Sequence, residues 1–357
     1  MRFSRPGWHP ELLPGVQHGP KVSGGCGSNV DHSALVYYPD RPSTSNPNEE
    51  FVKSRPLFTV FTATYNRAPK LKRPFSSLEK QTYRNFEWLL VDDGSKDNTE
   101  DLVGQWAAGS SFPIRYFSQE HRGLHWAFNR GVEEARGEFF LPLDSDDALE
   151  PQAMERLLYH WESIPQAERP GFSGVCCLCR DESGRLIGDP FPRDVMDSDS
   201  LEITYRYRVR GQKGGFHRLD VMREFPFDET AHMGCNPWRR IARKYKMRFV
   251  NEVLEVYYQD SPEESLARSP KRLRPVTGLY RTLEILNREI DYMKFWPAEF
   301  YRAAMRYTRY SFHCGLGLIQ QRTSLENPEA RRLWALAWPI GYLVYLQDRL
   351  RGRGVEA

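Results

Sequence analysis

Gly137-Glu138-Phe139-Phe140-Leu141-Pro142-Leu143-Asp144-Ser145-Asp146-Asp147 is the stretch on which the fold turns. Phe139 to Leu143 is apolar throughout, the pattern of a strand buried on both faces. Three carboxylates in four residues follow at its exit. Hard divalent cations take oxygen ligands and keep places for water and phosphate. Asp144 and Asp146 suit that use, with Asp147 orienting a neighbour or capping the next helix. The bland alternative is a solvated acidic turn. A surface acid run rarely terminates a buried strand, and this placement favours the cation.

The same grammar repeats upstream. Leu57–Thr64 reads as a buried first strand, left by the loop Tyr65-Asn66-Arg67. A helix is expected over Leu71–Gln81 and a second strand over Phe86–Val91, ending in Asp92-Asp93-Gly94-Ser95. Asn98 is placed to cap the next helix, with Asp101 as a short capping-box acid, and that helix runs to about Trp106. A strand over Phe112–Phe117 and a helix over Leu124–Ala135 lead back to the opening stretch. Strand and helix in alternation predict an α/β fold, a mainly parallel central sheet with helices on both faces. Ligand sites are then expected beyond the C-terminal strand ends, where all these loops lie.

Downstream the pattern loosens. A helix is expected at Ala153–Trp161, a strand at Gly174–Cys179, and a helix or strand at Leu201–Val209. A helix follows at Pro237–Tyr245, then short strands at Met247–Val250 and Val253–Tyr258. Helices over Tyr280–Met293, Ala298–Phe312 and Glu329–Arg349 close the chain. Residues 1–55, rich in Pro, Gly, Ser and Asn, read as an irregular arm. The expected organisation is this arm, a catalytic domain over 56–270 and a helical region over 271–357.

Composition excludes several classes. Of 357 residues 40% are hydrophobic and 27% charged, which fits a globular protein and neither a disordered nor a multi-span chain. A net charge of +3 with interleaved acids and bases gives no basic stripe, so no nucleic-acid partner is expected. Six cysteines do not make a disulfide framework, and Cys176-Cys177-x-Cys179 sits in an apolar strand where thiols act as small hydrophobes. The first residues hold no apolar run of signal-peptide length, and a cytoplasmic setting is expected.

Candidate binding residues cluster at the strand ends. Asp92 or Asp93 can accept from a pyrimidine N–H or orient a ribose, or Asp-Gly-Ser is simply a good turn. Tyr65, beside Thr64, Asn66 and Arg67, can pack on a base. Arg122 and Arg130 can meet a diphosphate, since guanidinium geometry matches its oxygens, although surface arginines are common.

Four blocks taken together are more specific. Thr64-Tyr65-Asn66-Arg67, Val91-Asp92-Asp93-Gly94-Ser95, Asn129-Arg130-Gly131 and Leu143-Asp144-Ser145-Asp146-Asp147 resemble, in order and spacing, the family 2 glycosyltransferases with the GT-A fold. The resemblance is clear from Leu57 to Tyr258. It continues more weakly into the C-terminal helices, similar to those of bacterial surface-polysaccharide enzymes. It implies inverting transfer from a nucleoside-diphosphate sugar, often UDP-linked, to a glycan or lipid-linked acceptor. Asp92 or Asp93 would then read the base near Thr64 and Tyr65. Asp146, helped by Asp144, would hold Mn²⁺ or Mg²⁺ against the diphosphate, with Gly94, Ser95, Arg122, Gly123, Arg130 and Ser145 lining the donor site.

The chain departs from that pattern in two places. Similar enzymes carry an acid four residues before the Trp of a Trp-x-Arg helix, and here Gly234 precedes Trp238. Asp228, Glu229 and His232 are the candidates for the missing base; without one, the protein binds donor but transfers poorly. At His121-Arg122-Gly123-Leu124 the basic residue precedes the Gly instead of following it. A phosphatase built on Asp-x-Asp leaves Asp92-Asp93 unexplained, and a pyrophosphorylase wants a Gly-rich loop after the first strand.

The final helix is unusually apolar from Leu333 to Leu346, with Arg331 and Arg332 before it and Arg349, Arg351 and Arg353 after. Pro339 and Gly341 interrupt it, and it is short for a membrane span. It reads either as a helix buried against the catalytic domain or a partner subunit, in a homo-oligomer, or as a segment lying on a membrane surface at the inner face.

Overall fold

The structure, a computed structural model, describes residues 55–229, 237–258 and 275–351. The arm up to residue 54, His232 and Gly234 lie outside the described residues. Two compact units are present, the first holding 55–229 with 237–258 and the second 275–351.

The first unit is an α/β fold around a nine-stranded mixed sheet. Its strands are β1 (Phe58–Thr64), β2 (Phe86–Asp92), β3 (Ile114–Ser118), β4 (Phe139–Pro142), β5 (Ala148–Leu149), β6 (Phe172–Arg180), β7 (Val195–Ser198), β8 (Lys213–Arg218) and β9 (Lys246–Val256). They lie in the order β3-β2-β1-β4-β8-β6-β9-β5, with β7 on β9. β1 to β4 pair in parallel, while β8 runs antiparallel to both β4 and β6. The helices are α1 (Lys72–Glu79), α2 (Thr99–Gly109), α3 (Leu124–Glu134), α4 (Ala153–Glu162), α5 (Ser200–Tyr205), α6 (Leu219–Glu224) and α7 (Pro237–Ile241).

The strands read as continuous apolar runs because both faces are covered. Successive side chains alternate in direction. Phe58, Val60, Trp88, Leu90 and Leu141 face a core closed by Leu78, Val103, Leu157 and Trp161 from α1, α2 and α4. Phe61, Leu89, Val91 and Phe140 face the opposite core, closed by Ala127, Phe128 and Val132 of α3 and Val221 and Met222 of α6. In register, Thr64 lies beside Asp92 and Asp92 beside Ser118, so three strand ends share one edge.

Several expectations are corrected. Asn98 makes no side-chain cap; Asp97 Oδ1 instead accepts from Thr99 Oγ1 at 2.6 Å and Thr99 N at 3.2 Å, and Oδ2 from Ala68 N at 3.0 Å. The two short strands near 250 are one, β9. Asn251 does not break it, because its side chain bonds Phe191 N at 2.8 Å and Phe191 O at 2.9 Å. The ambiguous segment at 201–209 is helical only over Ser200–Tyr205, capped by Asp199, whose Oδ1 accepts from Glu202 N at 2.7 Å. The sequence reading did not include β7, β8 or α6. β8 lacks an apolar pattern because it passes close to β6: a Cβ at Gly215, φ +130°, would lie 2.1 Å from Val175 O. Cys176, Cys177 and Cys179 are free and buried in β6, and burial raises all three thiols, Cys176 to about 12.

The second unit is helical: α8 (Pro275–Arg288), a 3₁₀ turn at Ile290–Lys294, α9 (Pro297–His313), α10 (Leu318–Ser324) and α11 (Pro328–Leu350). Its interior is Leu279, Leu283 and Leu286 of α8, Phe300, Ala304 and Tyr307 of α9, and Trp334 and Ala337 of α11. α11 runs unbroken through Pro339. Among the described residues no helix is long and apolar enough to cross a membrane.

Candidate active site

The loops leaving β1, β2, β3 and β4 are tied to one another by polar contacts. Between the first two loops, Asn66 N donates to Ser95 Oγ at 2.7 Å, and Lys96 N donates to Asn66 Oδ1 at 2.7 Å. Asn66 holds φ +50°, a conformation its short polar side chain tolerates. The third loop joins through Asp93. Its Oδ1 accepts from Gln119 Nε2 at 2.8 Å and Arg122 N at 3.0 Å. Its Oδ2 accepts from Gly123 N at 2.7 Å and lies 2.8 Å from His121 Nδ1. A carboxylate offers about four acceptor positions, of which three are filled by hydrogen bonds here, while His121 Nδ1 bonds the Asp93 carbonyl oxygen at 3.0 Å.

Asp92 is turned inward. Its Oδ1 accepts from Ser95 N at 2.8 Å and its Oδ2 from Tyr116 OH at 2.5 Å. Burial, reinforced by that carboxylate, raises the Tyr116 hydroxyl above its ordinary value. Both aspartates therefore hold the edge in shape, and Tyr65 is an exposed aromatic of this cluster, stacked on the exposed His121 with ring centroids 4.1 Å apart. Below it the Thr64 hydroxyl is buried without a hydrogen-bond partner.

The fourth loop joins through Arg67, which pairs with Asp146 Oδ2, while Arg73 Nη1 donates to Asp146 O at 3.2 Å. Ser145 is buried beside it. Asp147 is fully buried; its Oδ1 accepts from Tyr258 N at 2.9 Å and its Oδ2 has no partner. Burial, then the charges of Asp144 and Asp146, push the Asp147 carboxyl up to about 8. Asp144 is solvent-accessible yet crowded by protein, and that crowding followed by Asp146 raises its carboxyl, with Arg67 opposing.

Among the described residues no group of three or more His, Cys, Asp or Glu is arranged to hold a metal ion. Two carboxylates are nevertheless unspent. Neither the Asp144 carboxylate nor Asp146 Oδ1 bonds a described residue, and Asp147 Oδ2 is an orphan behind them. An all-oxygen set with excess negative charge suits a hard cation that draws its other ligands from water and phosphate.

The remaining candidates separate. Arg122 is exposed, 4.9 Å above the Trp126 ring and 3.8 Å from Glu120. Arg130 is committed along α3: its Nε bonds Glu134 at 3.0 Å and its guanidinium covers Phe117. Gly94 and Gly123 take positive φ at the turns. Glu229 is held to α3, where Asn129 Nδ2 donates to its Oε1 at 2.9 Å. Asn129 Oδ1 also accepts from Phe227 N at 2.9 Å, which fixes the segment carrying Asp228. His125 stacks on Phe227 and His217 on Trp238, and burial lowers His217 to about 3.

Sequence reasoning passed over Gln119, His121 and Asn129 as scaffold residues. The strand-exit rule that singled out the other loops applies equally to β3, and it would have found the first two.

Residues 59–181 match the family described as glycosyl transferase family 2. An uncharacterized glycosyltransferase of Rickettsia bellii is 29% identical over 210 residues, covering 56% of this chain and 29% of that protein. The chain thus spans about a third of the length of the first curated relatives it matches. The Campylobacter jejuni GalNAc(5)-diNAcBac-PP-undecaprenol beta-1,3-glucosyltransferase is 24% identical over 270 residues, 71% of this chain and 83% of that protein. Among solved structures, S. aureus TarS 1-349 in complex with UDP-GlcNAc superposes with a TM-score of 0.57 at 18% identity, covering 83% of this chain and 92% of that one. Through residues 59–181, in the unit built on β1 to β4, the chain matches the family 2 glycosyltransferases, and its α/β architecture is GT-A-like.

Proposed function

We propose that the chain transfers a sugar, with inversion, from a UDP-linked donor to a glycan or lipid-linked acceptor, in the assembly of a bacterial surface polysaccharide. The observation that carries this reading is the pair of unspent carboxylates, Asp144 and Asp146 Oδ1, at the exit of β4 beside three loops already locked in shape. The UDP-GlcNAc bound to TarS supports the donor class, and the undecaprenol-linked substrate in the Campylobacter name supports the acceptor class.

Tyr65 offers its exposed ring to the base, and the buried Thr64 hydroxyl awaits a partner beneath. Asp144 and Asp146 would hold Mn²⁺ or Mg²⁺. The cation supplies Lewis-acid neutralisation of the departing diphosphate. Arg122 stays free to swing from Trp126 onto the same oxygens, whereas Arg130 would have to leave Glu134. Glu229, oriented by Asn129, takes the acceptor's proton, with Asp228 and His232 as the other candidates.

The test is a panel of radiolabelled UDP-sugars incubated with Mn²⁺, Mg²⁺ or chelator, with hydrolysis and transfer counted. Cation-dependent turnover is expected, falling on the order of a hundredfold or more in Asp146→Asn. Tight UDP binding without turnover of any donor would sink the catalytic reading. Equal turnover in chelator would sink the cation site alone.

A further inference from the structure

α11 has two apolar faces, and the second unit uses one. Ala330, Trp334, Ala337 and Gly341 are buried against the rest of that unit. Contact with α9 is so close that a Cβ at Gly341 would sit 2.5 Å from Met305 O. Asp348 closes this face, paired with Arg309 at 2.9 Å and with His313 at 3.2 Å.

Among the described residues, the opposite face is exposed. Leu336 is 72% exposed, Leu343 63% and Leu350 89%, with Ile340 and Leu346 between them also exposed. Spacings of three and four residues set these side chains in one stripe, about 21 Å long at 1.5 Å per residue. No charged residue occurs from Leu333 to Gln347. Arg332 stands at one end of the stripe and Arg349 and Arg351 at the other, all exposed. Glu329, one turn before Arg332, is the acid on that face. A contiguous exposed apolar patch with a polar rim marks an interaction surface.

Charge decides the occupant. In a symmetric contact between two copies, parallel stripes set Arg332 against Arg332 and antiparallel stripes set Arg332 against Arg351, and with one acid, Glu329, against three arginines per copy the contact carries a net positive excess either way. A bilayer with anionic headgroups satisfies both arginine ends at once while its acyl region takes the leucines between them. Crossing is not required, because no described helix is long and apolar enough to span.

We propose that α11 lies in the plane of an anionic bilayer surface, with Leu336, Ile340, Leu343 and Leu350 in the acyl boundary and Arg332 and Arg351 at the headgroups. The inference stands on the second unit alone and does not depend on the glycosyltransferase reading. The experiment is flotation of the purified full chain with vesicles of phosphatidylcholine, and of equimolar phosphatidylcholine and phosphatidylglycerol. Binding to the anionic vesicles is expected. It should fall at least about tenfold in Leu336→Glu/Leu343→Glu. Arg332→Gln/Arg351→Gln should lower it roughly fivefold per arginine, with no such loss on neutral vesicles. All four positions are solvent-exposed, so unchanged far-ultraviolet circular dichroism and melting temperature should accompany both variants. Equal binding by wild type and the leucine variant would overturn the proposal. So would dimerisation through this face, lost in the leucine variant, with no vesicle binding.

Discussion

Asp93→Asn separates a scaffold from a base reader. The substitution keeps the shape of the side chain but turns one acceptor oxygen into a donor. Whichever way the amide lies, it meets a backbone N–H, that of Arg122 on one side or of Gly123 on the other. The site is buried, so that N–H loses its acceptor at a cost of about 1–3 kcal/mol. The other oxygen loses its charge, and its hydrogen bonds weaken by about 1 kcal/mol more. A total of about 2–4 kcal/mol lowers the melting temperature by roughly 3–5 °C in a protein of 357 residues. Differential scanning calorimetry reads that shift, and titration calorimetry then compares UDP with N3-methyl-UDP, which lacks the N3–H donor. If Asp93 is a scaffold, UDP binds more weakly to the variant but the methyl penalty is the same in both proteins, as expected of independent terms. An unchanged melting temperature, with the methyl penalty abolished, would show that Asp93 touches the base and that its three internal hydrogen bonds are not those of the binding geometry.

Two further outcomes follow from the geometry. Glu229→Gln should lower kcat on the order of a hundredfold or more with little change in donor KM. Asn129→Ala, which frees the same carboxylate, should lower kcat less, and equal kcat in wild type and Glu229→Gln would move the base to Asp228 or His232. The Arg156 hydrogen bond, helped by His160, depresses Glu252 from 4.5 to about 2. Its contribution is therefore complete above pH 4.5 and lost as pH falls through about 2. Glu252 is partly exposed, which limits the contribution to about 1 kcal/mol. Urea unfolding of Glu252→Gln between neutral and acid pH should show that gap closing, and parallel curves would refute it.

What the residues disclosed in advance divides along local and tertiary lines. β1, β2 and β4 were legible because a parallel strand covered on both faces is a near-continuous apolar run, as Phe139–Leu141 is and as Phe58–Phe61 is apart from Thr59, whose hydroxyl bonds the buried Glu87. β8 was not, because Lys213, Gly214, Gly215, His217 and Arg218 hold their places through β4 and β6 and not through any pattern of their own. The strand-exit loops could be placed from the sheet rule, but not their internal accounts. Nothing local says that Asp93 is spent on Gln119 and two backbone N–H groups some thirty residues away, whereas Asp146 keeps an oxygen free. The same limit hid the two faces of α11: its composition is apolar all round, and only its packing against the rest of the second unit shows which leucines remain uncovered.

The acid excess at the β4 exit extends inward to Glu255 of β9, buried and raised well above its ordinary value by burial first and then by Asp147 and Asp144. A raised carboxyl keeps its proton in the folded state where the unfolded chain has already released one. Below about pH 4.5 both states are protonated and Glu255 costs nothing. Above it the folded protein binds more protons than the unfolded, so this group's contribution to stability falls as pH rises. Glu255→Gln has nearly the same shape and no charge to release. It should match wild type at acid pH and become progressively more stable than wild type toward neutrality, read as diverging urea midpoints. Asp144 and Asp147 remain in both proteins, so the difference curve isolates Glu255. Curves that stay parallel from acid to neutral pH would mean that Glu255 is ionised and paired in the native state, and that the acidic wall is already neutralised without a cation.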